Sequence, residues 1–388
     1  YLIAGAISLP SDLKISARRE VSKTFVQAGE QIQVVVEIYN QGNSPVTVQL
    51  NDSVFSILGS ITNGDLEQKL ILPQNHGSFE YTFIAERGIF RWDSIHLLVT
   101  DRLGVFGRGF KIEDESEIVV APVEKRIQRV DLRNVHSYPS PGLIPSGKTG
   151  PGTDFYTISN YAPGDSLNKL NWRLSNRIPN QWIINKFEKE EIGNFCLLVN
   201  AGMVSSSHQQ EKKIFEMVLS VVAGFSAFLI RNGNRVSLIS YGENLSVINS
   251  GAGQRHLKRI KKRLAGLRQG NRIRLRNFQY FPLRLFPARS TILVFSRLNE
   301  RDLPIYQALM ARNYKVRILT PDILTRELTD QKDDEAGRLA LRLAGIECKL
   351  LQNKFVEQGI IVKIISLDEP AQQMAFNIQE AGAVRSRP

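Results

Sequence analysis

From residue 30 onward, apolar and polar positions alternate: Ile32, Val34, Val36 and Ile38 fall on one side, Gln31, Gln33 and Glu37 on the other. That is the period of a half-buried strand. The cluster Gln41-Gly42-Asn43-Ser44-Pro45 interrupts it as a turn, and Val46, Val48 and Leu50 resume it. The same alternation predicts strands over 79–84 (Phe79, Tyr81, Phe83) and 94–100 (Ile95, Leu97, Val99), with Asn63-Gly64-Asp65 as a tight turn. Strands at this spacing with no helical period predict an antiparallel β-sandwich over 15–122.

Beyond residue 190 the period changes. Phe195-Cys196-Leu197-Leu198-Val199 is a short continuous apolar run, the pattern of a strand buried on both faces. A helix of about 20 residues follows from Gln210 to Ile230, stopped by Asn232-Gly233-Asn234. Strands over 235–241, 245–249, 291–296, 315–320 and 360–365 alternate with helices over 254–268, 301–312, 334–344 and 348–357. This order predicts a doubly wound, mostly parallel sheet over 191–388. The fold class is therefore α/β plus all-β, with 123–190 as a linker between the two domains. In such sheets ligands sit at the carboxyl ends of the strands, which directs attention to the loop after Val199.

Charge adds an asymmetry to this picture. The chain carries a net +12. Residues 1–122 hold 10 Lys+Arg against 15 Asp+Glu, whereas 123–388 hold 40 against 23. Residues 254–289 contain 12 Lys+Arg and no acid. On the helix 254–268, Leu257, Ile260, Leu264 and Leu267 share one face. Arg255, Lys258, Arg259, Lys261, Lys262 and Arg263 fill much of the rest, and Arg272 and Arg274 follow. A face this one-sided attracts an acidic protein, anionic lipid or nucleic acid. The steep salt dependence of nucleic-acid binding would distinguish that alternative, for which only Phe278, Tyr280 and Phe281 supply interleaved aromatics.

Mean hydropathy is −0.18 with 42% hydrophobic residues, a globular composition, and no uninterrupted apolar run reaches the roughly 18 residues of a membrane span. Residues Tyr1 to Leu9 are nonetheless apolar and end at Pro10. Together with Lys14, Arg18, Arg19 and Lys23 they read as the tail of a membrane helix and a juxtamembrane segment over 1–14. That reading places the remainder on the cytoplasmic side. Cys196 and Cys348 have no metal-ligand spacing, and the five histidines form no paired motif.

The most informative stretch lies between the domains: Tyr161-Ala162-Pro163-Gly164-Asp165, Asn171-Trp172-Arg173-Leu174-Ser175-Asn176-Arg177 and Lys186-Phe187-Glu188-Lys189-Glu190. These blocks resemble the Y-x-P-G-D, I-x-W-x-x-S-A-R and K-x-F-E-x-E signature of the bacterial and archaeal domain-of-unknown-function-58 family. Glu86-Arg87-Gly88 and Asp101-Arg102-Leu103-Gly104-Val105-Phe106 resemble its R-R-G and D-P-F-G-L-F segments. The resemblance implies a β-sandwich followed by a von Willebrand factor A-like domain, carried on membrane helices. It also implies a MoxR-type AAA+ ATPase as partner. A von Willebrand A domain holds Mg²⁺ through D-x-S-x-S after its first strand. Here those positions are Asn200, Gly202 and Val204, and Arg297 follows Phe295-Ser296 where a later Asp is expected. Ser205, Ser206 and Ser207 are out of register. The substitutions predict no bound metal and no cofactor.

Two decoys complete the reading. Gly142-Leu143-Ile144-Pro145-Ser146-Gly147-Lys148-Thr149 spells a phosphate loop, but Ser137-Tyr138-Pro139-Ser140-Pro141 before it and Gly150-Pro151-Gly152 after it deny it a strand and a helix. A linker is the expectation there. Asp154 and Asp165 could serve acid–base chemistry only from one cleft. Asp165 is instead expected to organise the turn after Pro163-Gly164 and to pair with Arg173 or Arg177, and Trp172 to be packed. The chain reads as a non-catalytic, membrane-associated interaction protein.

Overall fold

The computed structural model describes residues 13–51, 61–64, 68–100, 107–127, 129–130, 137–138, 144–178, 181–202, 208–275, 285–322, 335–365 and 375–376. Two compact units result: residues 1–123 with 261–267, and residues 124–260 with 268–388.

The first unit contains β1 (Ile15–Val21), β2 (Phe25–Gln27), β3 (Gln31–Asn40), β4 (Val46–Leu50), β5 (Ile61–Gly64), β6 (Lys69–Ile71), β7 (Asn75–Ile84), β8 (Gly88–Thr100) and β9 (Gly107–Ala121). One sheet has the order β1-β3-β7-β5, the other β2-β9-β8-β4-β6. Pairing is antiparallel except between β2 and β9. Alternation along β3 buries Ile32, Val34, Val36 and Ile38, and Phe79, Tyr81 and Phe83 of β7 join them in one core with Trp92, Ile95, Leu97 and Val99 of β8. A register shift between Trp92 and Ser94 changes the phase of β8, so that both Trp92 and Ile95 point inward. Asn63-Gly64 does not make the expected turn: it lies in β5, opposite Thr82 and Tyr81, because two open sides of β7 offer ladder bonds to both neighbours.

Arg19 corrects another expectation. Counted in the sequence among juxtamembrane cations, it is buried in the first unit. Its guanidinium donates to the Ser94 carbonyl at 3.3 Å, lies 3.8 Å from the Asp114 carboxylate and stands over the Trp92 ring at 5.7 Å. A buried charge persists only with partners of this kind.

In the second unit β10 (Arg129–Val130) pairs with a distant two-residue strand, and β11 (Ser137–Tyr138) and β12 (Ile144–Asn160) pair antiparallel with the first half of β13 (Ile183–Asn200). The segment expected as a linker is thus largely a strand: Pro145 stands opposite Glu190 and Thr149 opposite Glu188, with a register shift between them, while Gly142 and Leu143 lie outside the described residues. A phosphate loop needs a helix that opens at its lysine, and here Thr149 and Gly150 run on as paired strand instead. A short helix α1 (Trp172–Ser175) lies between β12 and β13.

The second half of β13 enters the main sheet. After α2 (His208–Arg231) come β14 (Arg235–Tyr241), β15 (Ser246–Gly251), α3 (Gln254–Ala265), β16 (Thr291–Phe295), α4 (Leu303–Ala311), β17 (Lys315–Pro321), α5 (Glu335–Glu357) and β18 (Ile361–Ile365). The sheet order is β15-β14-β13-β16-β17-β18, parallel throughout except for β15 at the edge. Counted from β13 this is 3-2-1-4-5-6, and the order reverses between β13 and β16. The apolar run is buried on both faces as expected: Cys196 and Leu198 join one core cluster, while Phe195, Leu197 and Val199 are equally enclosed.

Helix α2 qualifies the sequence-based reading of membrane spans. By length and composition Glu211–Arg231 is apolar enough to cross a membrane, although 72% of its most apolar window is buried within the fold. Counting uninterrupted apolar runs passed over it because Ser220 and Ser226 break the run. Both hydroxyls donate back to carbonyls of the helix, at Glu216 and Val222, so they sit in an apolar environment with their bonds made. Helix α5 is one continuous element rather than two, because a single interior glycine, Gly345, costs a helix only about 1 kcal/mol.

Candidate functional site

The reversal of strand order leaves a crevice beyond the carboxyl ends of β13 and β16, the place where open α/β sheets take their ligands. Asn200 closes β13, and its amide donates to the Ser296 hydroxyl just after β16 at 2.9 Å. The same side chain turns the loop: its oxygen accepts the Gly202 N–H at 2.8 Å. The chain from 268 to 275 is laid across these ends. Gly270 N–H donates to the Ala201 carbonyl at 3.2 Å, and Ile273 N–H to the Gly242 carbonyl at 2.6 Å.

Glycines permit this close approach. Gly242 has φ +145°, and a side chain there would begin 2.8 Å from the Gly270 carbonyl oxygen. At Gly202 a Cβ would stand 2.5 Å from Asn271 Oδ1 and 3.0 Å from the Gly270 carbonyl oxygen.

The result is a cavity of about 320 Å³. Its polar lining is Asn200, Tyr241, Asn271, Arg274, Arg297, Asn299, Arg301 and Asp302, with Ile273, Leu275 and Leu298 as apolar wall. Asp302 and Tyr241 are buried, whereas Arg274 and Arg301 are exposed at the mouth. Burial pushes the Tyr241 phenol far above its ordinary range; the Asp302 charge adds to the rise and the Ser296 hydroxyl opposes it. Tyr306 is raised for the same leading reason, burial, with Tyr241 and Asp302 contributing. Neither phenol ionises near neutral pH, so both act as neutral hydroxyls. The charge available at the mouth is cationic.

The residues singled out in the sequence fall into three places. Of the metal-type positions, Asn200 and Gly202 line the cavity, while Val204 and Ser205, Ser206 and Ser207 lie outside the described residues. Among the described residues no cluster of three or more His, Cys, Asp or Glu is arranged to hold a metal.

The signature residues gather at α1 and the outer half of β13. Tyr161 N–H donates to the Trp182 carbonyl at 2.7 Å, and their rings lie 5.7 Å apart. Asp165 organises the turn after Pro163 and Gly164, accepting the Ala162 N–H at 3.0 Å, with Gly164 at φ +105°. Among the described residues it makes no ion pair with Arg173 or Arg177, both of which are exposed. Trp172 is 65% exposed rather than packed, because a four-residue helix has too few turns to enclose an indole. Ser175 instead ties α1 to β13, accepting the Ile183 N–H at 2.9 Å. Lys186 stands opposite Thr157 and Glu188 opposite Thr149 in the β12–β13 ladder.

The basic set divides. Arg255, Lys258, Arg259, Lys262 and Arg263 are exposed on α3, Lys261 half-buried, and the apolar face of Leu257, Ile260, Leu264 and Leu267 is buried as the period predicts. Lys262 pairs with Glu117 within the first unit. Arg272 is exposed, and Arg274 is the member of that set that lines the cavity. Arg301, Asp302 and Tyr241 escaped the sequence reading. The available signal was position: Arg301 and Asp302 follow a strand end by a few residues, in the loop that opens the next helix.

A profile of the family described as "Protein of unknown function DUF58" matches residues 157–335. The "Uncharacterized protein YeaD" of Bacillus subtilis strain 168 is 24% identical over 270 residues, which cover 68% of this chain and 65% of that protein. The chain thus spans about two thirds of the length of this relative. Among solved structures, the PapD-like domain 7 of human CEP192 is 12% identical, covering 27% of this chain and 87% of its own, with a TM-score of 0.20. A FixG-related protein from Vibrio parahaemolyticus is 13% identical, covering 28% and 95%, with a TM-score of 0.18. Likenesses this slight carry no structural argument.

Proposed function

We propose, from the match of residues 157–335 to the DUF58 family model, that this chain is a non-catalytic interaction protein whose strand-end loops receive a partner. The first unit is read as a β-sandwich and the second as a von Willebrand A-like domain. Two sheets closing on one core support the first reading, and the 3-2-1-4-5-6 order with an antiparallel edge supports the second.

One observation carries the proposal: the crevice where such a domain would hold Mg²⁺ is lined by neutral amides and three arginines, with Asp302 as the one acid among the lining residues. The residues present do not fit the metal. Hard cations need carboxylate and hydroxyl oxygens. Asn200 spends its oxygen on the Gly202 N–H and its amide on Ser296. A serine at 202 would collide with Asn271 and with the Gly270 carbonyl. Arginines at the mouth repel a dication at that range. What is left is a shaped, charged recess with no nucleophile or base of telling geometry, the equipment of recognition rather than turnover.

The family resemblance supports a MoxR-type AAA+ ATPase as that partner and a place at the cytoplasmic face of a membrane. The test is co-purification of the native full-length protein with the ATPase, in magnesium and in chelator. The reading holds if a stoichiometric complex forms in both; it fails if the ATPase does not associate, or if stoichiometric Mg²⁺ binds in the crevice.

A further inference from the structure

We infer that the cavity at the strand ends is a binding site for a carboxylate, the side chain of an acidic residue on a protein partner, gripped by guanidinium groups with no bridging cation. The inference deepens the interaction reading and rests on it. Three arginines, Arg274, Arg297 and Arg301, line the cavity, and the acid among the lining residues is Asp302. Asp302 is buried, whereas Arg274 and Arg301 are exposed where a ligand would enter. Among the described residues no acidic side chain pairs with Arg274 or Arg301. A guanidinium presents two parallel N–H donors at the spacing of carboxylate oxygens, so the mouth is built for a planar anion.

Size and charge narrow the ligand. A cavity of about 320 Å³ accepts a side chain and its immediate surroundings, at the small end of ligand sites, which run from about 300 to 1,000 Å³. Ile273, Leu275 and Leu298 offer apolar wall for the methylenes of a glutamate or aspartate. The apolar wall discriminates between anions. Free phosphate has no methylene to lay against Ile273, Leu275 and Leu298, whereas an acidic side chain does. Free phosphate is therefore the poorer ligand. Asn200 serves as a positioning residue: its bonds to Gly202 and Ser296 hold the floor shut against a cation.

The experiment titrates the full chain with a short peptide rich in Asp and Glu, with its Asn/Gln counterpart and with inorganic phosphate, each in chelator and in Mg²⁺. The acidic peptide is expected to bind equally in both, the amide peptide not to bind, and phosphate to bind more weakly than the acidic peptide. Arg274→Glu with Arg301→Glu should weaken the peptide by at least about tenfold, as truncating a charge pair does. Arg274→Lys with Arg301→Lys should retain part of the affinity. Arg255→Glu with Arg259→Glu, on the exposed face of α3, should change little. All these side chains are exposed, so unchanged melting temperatures verify the fold. A requirement for Mg²⁺, tighter binding of phosphate, absence of peptide binding, or an equal loss from the α3 reversal overturns the inference. An ATPase complex that survives the Arg274/Arg301 reversal overturns it too, while leaving the interaction reading intact; a catalytic turnover strikes that reading instead.

Discussion

The amide of Asn200 donates to the hydroxyl of Ser296 at 2.9 Å, joining the ends of two neighbouring parallel strands. The Ser296 proton goes on to the Arg297 carbonyl at 3.0 Å, so the bond has a fixed direction. Asn200→Ala removes this bond and the one to Gly202, leaving the half-buried Gly202 N–H without this acceptor and the Ser296 hydroxyl without this donor, though still bonded to the Arg297 carbonyl. The expected cost is about 1–3 kcal/mol, read as a lower denaturant midpoint with an unchanged slope. Mg²⁺ should raise the melting temperature of neither protein, and a magnesium-dependent rise in the wild type would restore the metal reading.

Gly202→Ser tests whether the loop can return to a metal-binding pattern. The new Cβ would meet Asn271 Oδ1 at 2.5 Å and the Gly270 carbonyl at 3.0 Å. Overpacking of this sort costs about 1–3 kcal/mol. Adding Asn271→Gly should recover only part of the loss, because the backbone oxygen remains. Full recovery by that second change would mean that the 268–275 segment is not held in place by its bonds to Ala201 and Gly242.

Much of the fold is legible from local pattern, and much of the site is not, for one physical reason. Burial of Ile32, Val34, Val36 and Ile38 follows from a two-residue period. The helical face of Leu257, Ile260 and Leu264 follows from one of 3.6. Both are properties of a segment alone. Arg19 reads as a surface cation because nothing local announces that Asp114 and Trp92 will enclose it. The cavity assembles residues 200–202, 241, 271–275 and 297–302, which only the strand order brings together. Arg297 was visible as a missing acid, but its companions Arg274 and Arg301 belong to different loops, and no spacing rule connects them.

Arg87 supplies a third prediction. Its guanidinium donates to the carbonyls of Leu264, Ala265 and Leu267 at 2.7–2.9 Å, within the first unit. Those carbonyls end a helix, where orphan acceptors and the negative end of the dipole favour a cation. Arg87→Ala should cost about 2 kcal/mol and accelerate amide hydrogen exchange over 261–267. Arg87→Lys, which cannot reach three acceptors from a planar fork, should recover only part. Unaltered exchange in the alanine variant would show that the helix end needs no cap.

The acid limb of stability should report on Glu117. Lys262 hydrogen-bonds its carboxylate, Arg91 donates to it at 2.7 Å, and the two hold its pKa below the ordinary range, with burial opposing. A depressed acid stabilises the fold above its unfolded pKa, and that contribution disappears as pH falls through the lower folded value. Denaturant midpoints should therefore decline below the usual carboxylate range, and Glu117→Gln should flatten part of that decline. Because both cations are substantially exposed, 0.5 M salt should shrink the effect as well. An identical pH profile for wild type and Glu117→Gln would remove the triad from the account.

The two cysteines should separate cleanly in reactivity. Cys196 lies within β13 with no exposed surface, and burial pushes its thiol up to about 12, with the Ser237 hydroxyl opposing slightly. At pH 8 its reactive thiolate would be about one part in ten thousand. Cys348 is half-buried on α5 and is raised chiefly by burial, then by Asp322. Iodoacetamide at pH 8 should modify Cys348 in the native protein, more slowly than a thiol in a free peptide, and reach Cys196 only in denaturant. Peptide mass mapping distinguishes the two. Because Cys196 is enclosed by β14 and β16 on either side, its labelling measures opening of the strand pair whose ends form the cavity. An acidic peptide that binds the cavity should slow that labelling further in mild denaturant, in proportion to its occupancy. Native labelling of Cys196 at the rate of Cys348 would mean that the sheet opens readily, and that the recess is not the preformed site its packing describes.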